Sequence, residues 1–461
     1  MIIKRYQTLL FFLELSLYFF LVVTGHHIFW ASFFSWALFK LIIAFWKVEE
    51  RNFVGQIGPI DFWQFGWYIF LVFLPIAISI NRTLFVAPLP SQPNYSTINL
   101  SILLLSMCFI ASRIGLSFYP KKRASQTFFG FDGISAKFAI SFLCFGFLGC
   151  FFLVKAVGLH ISLISLYGQF LGNSTSWTKF LALTLTPLLF QAIFIKFFDK
   201  LPIGRSRIQN LIFVLMIAIA LLPLLSFGLN RAVIVIPVVS MILAVSGSNL
   251  RPTKVIAIIL AFLILAFSIQ LVGQLRSIIY VTKGGQLNLN SVGYIKNPTA
   301  WNQFQNYLNA PQYMAFALQN IDQREVTNTT PLKSMISPLP KIRHLNSSGK
   351  DGSSLYNHAI YGDLAQDQYL SSVIEMWMAW GPLGLLIIGF LQGYIVSFLW
   401  RKFFILSSNY AKYLVCYVSV WLAFLPAFSV AVMSQIFFYN LLIPYLIIKI
   451  FSIKKMFEGS Q

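Results

Sequence analysis

Few side chains in this protein can do ionic chemistry, so the positions of those that can are informative. Only 10% of its 461 residues are charged, against about 25% in an ordinary soluble domain. Arg231 ends the stretch Ser226-Phe-Gly-Leu-Asn-Arg231, in a short connection between two apolar runs. Arg276, in Gln274-Leu-Arg276, follows a third run. The planar guanidinium fork donates hydrogen bonds in pairs and suits phosphate. Two such residues at the ends of neighbouring helices would clamp one anion. Each also fits an interfacial anchor, a cation snorkelling from a helix end. Lys341-Ile-Arg343-His344 forms a second basic cluster, just after Pro338 and Pro340. A solvated charge run is the ordinary alternative, but the prolines imply a shaped segment and favour anion binding.

Acid–base candidates are equally sparse. Glu375 lies in Ser371-Ser-Val-Ile-Glu375-Met-Trp, where a long apolar run begins. A carboxylate there is costly unless it is paired or wet. It would either pair with Arg231 or Arg276, or deprotonate a hydroxyl. His344 and His358 could serve as a general base near neutral pH, although a lone histidine is more often structural. Asp363 and Asp367 precede Glu375 in a polar stretch, and Glu14 sits inside the first apolar run with no partner that the sequence names.

Other chemistries are absent from the sequence. There is no P-loop pattern, so ATP-driven transport by this chain alone is disfavoured. No DxD pair, HExxH or CxxC occurs. Any catalysis is therefore expected to need no metal and no cofactor. Cys108, Cys144, Cys150 and Cys416 all fall in apolar runs, which argues against a disulfide frame or zinc site.

The elements that must hold these residues are membrane helices. Hydrophobic residues make up 58% of the chain, and mean hydropathy is +0.75. A bilayer core of about 30 Å calls for roughly 20 apolar residues per span. That template finds twelve runs, at 8–25, 28–46, 62–80, 98–112, 136–154, 178–197, 211–228, 232–247, 255–274, 374–398, 411–431 and 434–452. The first has no small-residue cleavage site and reads as a retained span rather than a signal peptide.

Charge orients the spans. With both termini cytoplasmic, 22 of the 34 Lys and Arg fall inside. The short outer loops then hold only Arg82, Lys155, Lys179 and Arg231. This is the positive-inside asymmetry. It accounts for most of the formal net charge of +21 and removes nucleic acid as the partner of a basic protein.

One connection stands apart. Residues 275–371 form an outer loop of 97 residues between the ninth and tenth spans, dividing the chain into 1–274, 275–371 and 372–461. Long loops of this kind are usually functional. Trp301, Phe304, Tyr307 and Leu308, then Met314, Leu318 and Ile321, recur at helical spacing interrupted at Pro311. Two short amphipathic helices follow from this, of a kind that can lie on a membrane surface.

On these residues the chain resembles the O-antigen (Wzy-type) polymerases and oligosaccharide repeat-unit polymerases. Ser371-Ser-Val-Ile-Glu375-Met-Trp-Met-Ala-Trp-Gly381-Pro-Leu-Gly384, followed by Gly389 and Gly393, resembles the segment that closes their large loop. Ser337-Pro-Leu-Pro340-Lys341-Ile-Arg343 resembles the Pro-basic segment of that loop, and Ser226–Arg231 resembles their Ser/Gly-Arg hairpin. These motifs cover about a tenth of the chain. His344 and Leu345 stand where Trp and Lys-Pro are often found, which leaves the acceptor contacts open.

The resemblance implies an all-α, GT-C-like polytopic protein of the bacterial inner membrane with one large periplasmic loop. It implies transfer of a growing glycan from undecaprenyl diphosphate to the sugar of another lipid-linked unit. The partners implied are the lipid-linked oligosaccharide and membrane lipid, with room for a chain-length regulator protein. The diphosphate would be held by Arg231, Arg276, Arg343 and Lys341, and the base would be Glu375, with His344 or His358 as alternatives. Such preorganised charge is often the largest catalytic contribution. Two rivals share much of this profile. A flippase would also need cations for a diphosphate, but usually shows related halves and short loops. An O-antigen ligase differs only in its acceptor.

Overall fold

The computed structural model describes residues 60, 63, 66, 67, 70, 71, 89, 91–118, 136–157, 177–198, 216, 219, 220, 231–246, 310–322, 326–336, 339, 355, 356, 371–406 and 408–458. Among these residues every regular element is helical. The described helices are α1 (Tyr95–Phe118), α2 (Ala136–Val157), α3 (Trp177–Leu185), α4 (Pro187–Phe198), α5 (Arg231–Ser246), α6 (Ala310–Asn320), α7 (Thr330–Ile336), α8 (Ser372–Ile405), α9 (Asn409–Ala423), α10 (Val430–Ile436) and α11 (Ile443–Glu458). A π-helical stretch, Phe437–Leu442, joins the last two.

Among the described residues, four stretches are long and apolar enough to cross a membrane: Tyr95–Phe118, Phe138–Lys155, Ser372–Phe403 and Val430–Ile450. Ile140, Phe147, Phe151 and Val154 of α2 are exposed and recur at helical spacing. An exposed face this apolar suits lipid rather than water.

Several expected spans are bent or interrupted. The run at 178–197 is two helices that meet at Thr186, because Pro187 lacks the N–H that would continue the ladder and its ring clashes with the preceding turn. The run at 411–431 stops at Ala423 and turns through Phe424–Ala427, a segment that includes Pro426, before restarting at Val430. The run at 374–398 breaks at Gly381, with φ 59° and ψ −143°, followed by Pro382. An L-residue is strained in that region, so the break requires glycine. The run at 98–112 is longer than expected, a helix of 24 residues. The runs at 8–25, 28–46 and 255–274 lie outside the described residues, and those at 62–80 and 211–228 are described only at scattered positions.

α1 and α8 pack against each other. Glycine lets their backbones approach. A Cβ on Gly393 would overlap the Ser112 carbonyl, one on Gly389 the Cys108 carbonyl, and one on Gly115 the Phe390 carbonyl. This is the small-residue crossing used where helices meet in lipid. Gly389 and Gly393 therefore have a packing role within the closing motif. α2 uses Gly146 and Gly149 in the same way against Leu189 and the Leu185–Thr186 bend.

α9 carries Tyr410, Tyr413, Tyr417 and Trp421, spaced three or four residues apart and all buried. Phe190 and Phe194 of α4 lie 5.9 and 4.9 Å from the Tyr413 ring, and Phe142 of α2 lies 6.2 Å from Tyr410. The Tyr410 hydroxyl donates to Gln191 Oε1 at 2.6 Å, while Gln191 Nε2 donates to the Asn440 carbonyl at 3.4 Å. Thus the α4 amide ties α9 to the π-helical stretch, where the wider turn alters the backbone ladder.

Candidate functional site

The closing motif folds into the junction that joins the end of α9 to the start of α10. Ser372 makes two bonds there. Its backbone N–H donates to the Phe428 carbonyl at 2.8 Å, and its hydroxyl donates to the Leu425 carbonyl at 2.8 Å. One turn later, Glu375 Oε2 accepts from the Val430 backbone N–H at 3.2 Å. Val430 is the first residue of α10, whose N-cap Ser429 accepts from Val432 N–H at 3.2 Å. The first N–H groups of a helix have no partner within it, and the helix dipole favours an anion at that end. Both effects stabilise a carboxylate at this point.

Glu375 is fully buried. A charge withdrawn from water is tolerated only when hydrogen bonds and dipoles replace hydration. The geometry therefore gives Glu375 a holding role: it clasps the first turn of α8 to the first turn of α10. Ser371 sits at the N-cap of α8, but its side chain makes no capping bond. Its buried hydroxyl has no hydrogen-bond partner among the described residues.

The described part of 275–371 meets the same region. α7 packs against both α8 and α10. The Trp380 indole N–H donates to the Asn328 carbonyl at 2.8 Å, fixing the chain just before α7 to the last turn before the Gly381 break. α6 docks on α1, with Ser101 Oγ donating to the Pro311 carbonyl and Gln319 Nε2 to Thr97 Oγ1, both at 2.8 Å. Pro311 lies in the first turn of α6, where its missing N–H costs nothing. Met314 and Ile321 are buried and Leu318 is partly buried, so the expected apolar face packs on protein rather than lying free on a membrane surface. The first of the two expected amphipathic helices, around Trp301–Leu308, falls outside the described residues.

Of the other candidates, Arg231 is the first residue of α5, and α5 packs against α9. Only its backbone is described. Arg276, Lys341, Arg343, His344 and His358 lie outside the described residues. Two residues just upstream of His358 are placed: Leu355 and Tyr356 are buried, and the Tyr356 hydroxyl donates to the Tyr313 carbonyl at 3.2 Å. The contributions of Ser372, Ser429 and Val430 were not legible in the sequence. A serine beside a helix start is a general capping signal, but it does not identify a partner more than fifty residues away.

These features define an all-helical membrane protein with a junction that fastens loop and helix ends together. No protein-family model, curated protein or solved structure matches the chain.

Proposed function

We propose that this protein polymerises lipid-linked oligosaccharide repeat units at the periplasmic face of the bacterial inner membrane. The proposal includes twelve spans with both termini cytoplasmic, a GT-C-like arrangement and the large loop at 275–371. The observation that carries it is the folding of Ser371–Glu375. This segment carries the resemblance, and its buried carboxylate lies where the outer-loop helix α7 also docks. A buried carboxylate at the start of a membrane-length helix suits an enzyme acting on substrates at a membrane face.

In this reading Arg231, Arg276, Arg343 and Lys341 hold the diphosphate. An acceptor sugar hydroxyl attacks the anomeric carbon of the growing glycan. The carbon–oxygen bond to the carrier breaks, and its electron pair leaves with undecaprenyl diphosphate. The hydroxyl proton passes to His344 or His358. This reading gives Glu375, whose Oε2 accepts from the Val430 N–H, a positioning role. The diphosphate is an activated leaving group, so neither ATP nor a metal is needed.

The helix breaks at Thr186, Gly381 and between Ala423 and Val430 favour a second reading. Interrupted helices are common in transporters, which bind substrate at such breaks. Purified protein in proteoliposomes separates the two. With lipid-linked units, EDTA and no ATP, a glycan ladder is expected. Movement of units across the bilayer without a ladder would establish the flippase instead. Transfer only to a lipid A-type acceptor would establish the ligase.

A further inference from the structure

α7 has its polarity reversed relative to a helix bathed in water. Thr330, Pro331 and Ser334 face inward and are buried, while Leu332 and Met335 are 53% and 52% exposed. These two residues are three apart and share a face of the helix. Small and hydroxyl-bearing residues turned toward protein, with large apolar ones turned out, is the pattern of a helix solvated by lipid.

The neighbouring surface is apolar too. α7 packs directly on α8 and α10, and the Asn328–Trp380 bond holds its start beside the end of the first section of α8. Immediately past the Gly381 break, Leu383 and Leu386 are exposed on α8, at 61% and 47%. α8 is one of the helices long enough to span a bilayer. α7 therefore presents large apolar side chains on its open face while packed against a helix that itself exposes leucines and is long enough to span a membrane. Seven residues extend only about 10 Å at 1.5 Å per residue, far short of a bilayer core of about 30 Å. α7 cannot cross and must sit at the boundary. Lys333, half-exposed beside the apolar pair, has a stem long enough to lift its ammonium to the headgroups.

We propose that α7 is seated in the membrane boundary, with Leu332 and Met335 in contact with lipid acyl chains. This loop segment is then anchored twice, by protein on one side and by lipid on the other. The proposal needs only a membrane-embedded protein and is independent of the glycan chemistry, so either can fail alone.

Site-directed spin labelling in proteoliposomes tests it. Cys144 and Cys150 on α2 are replaced by alanine, whereas Cys108 and Cys416 are buried and stay. Leu332→Cys and Met335→Cys are then labelled separately, each a check on the fold of the other. Both labels are expected to collide more with oxygen, which dissolves in lipid, than with a water-soluble nickel chelate. A reversal of that ratio at both sites would place the face in water and overturn the proposal. Poor access to both reagents would mean that protein covers it, and would overturn it equally.

Discussion

Glu375 accepts a hydrogen bond from the backbone N–H of Val430, 55 residues away in the chain, at 3.2 Å, linking the first turns of two helices. The contact makes the carboxylate part of the scaffold. It also supplies a direct test of what Glu375 does.

Glu375→Gln keeps an oxygen acceptor of the same length, whereas Glu375→Ala removes it and leaves the Val430 N–H without that acceptor in a partly buried setting. Losing such a partner costs roughly 1–3 kcal/mol. The alanine variant should lose thermal stability in detergent, and the glutamine variant should stay close to the parent. Equal melting of the two would show that the carboxylate does not hold the junction.

Gly393→Ala and Gly381→Ala should both destabilise, for different reasons. At Gly393 the new Cβ meets the Ser112 backbone carbonyl, so α1 and α8 must separate, at a cost of about 1–3 kcal/mol for overpacking. Because the obstacle is backbone, Ser112→Gly should not rescue it. At Gly381 a Cβ meets nothing within 4 Å, but φ is 59°, and the cost is backbone strain of about 1–3 kcal/mol. Thermal denaturation of the singles and of the Gly393→Ala/Ser112→Gly double mutant reads out both claims. Recovery in the double mutant would relocate the clash to the side chain.

The Tyr410–Gln191 bond is a buried polar link between α9 and α4. Tyr410→Phe should cost about 1 kcal/mol, and Gln191→Leu more, since it strands the phenol in an apolar core. A double-mutant cycle should return a coupling energy on the order of 1 kcal/mol. Additive effects would mean that the two groups do not depend on each other.

On the proposed polymerase reading, Arg231→Ala and Arg276→Ala should each reduce long glycan chains to single-unit products in cells with protein levels unchanged. Lysine at either position should restore polymer only in part, because a point charge cannot replace a paired donor. Gel profiles of extracted glycan give the answer. Normal chain length in both alanine variants would overturn the proposed diphosphate-binding role of these residues.

The membrane character was legible in composition, because hydrophobicity is summed over many residues and survives any local error. Spans such as Ala136–Val157 were found within a few residues of their ends for the same reason. The interruptions were less legible. Pro187, Pro382 and Pro426 are visible in the sequence, but proline inside an apolar run fits either a kink or a break. Only packing decides which, as Gly149 against the Leu185–Thr186 bend illustrates. The loop shows the same limit. Spacing identified an apolar face on 310–321 but not what covers it, and that face lies on protein.

By itself, then, the sequence determined that the chain is helical, membrane-borne and poor in ionic groups, and it singled out Glu375 as unusual. Those properties depend on residue type and local periodicity. The tertiary structure alone decided what Glu375 touches, why Gly389 and Gly393 must be glycine, and which side of α7 faces outward. Each of these depends on a second segment distant in sequence, and no local pattern encodes the identity of that partner.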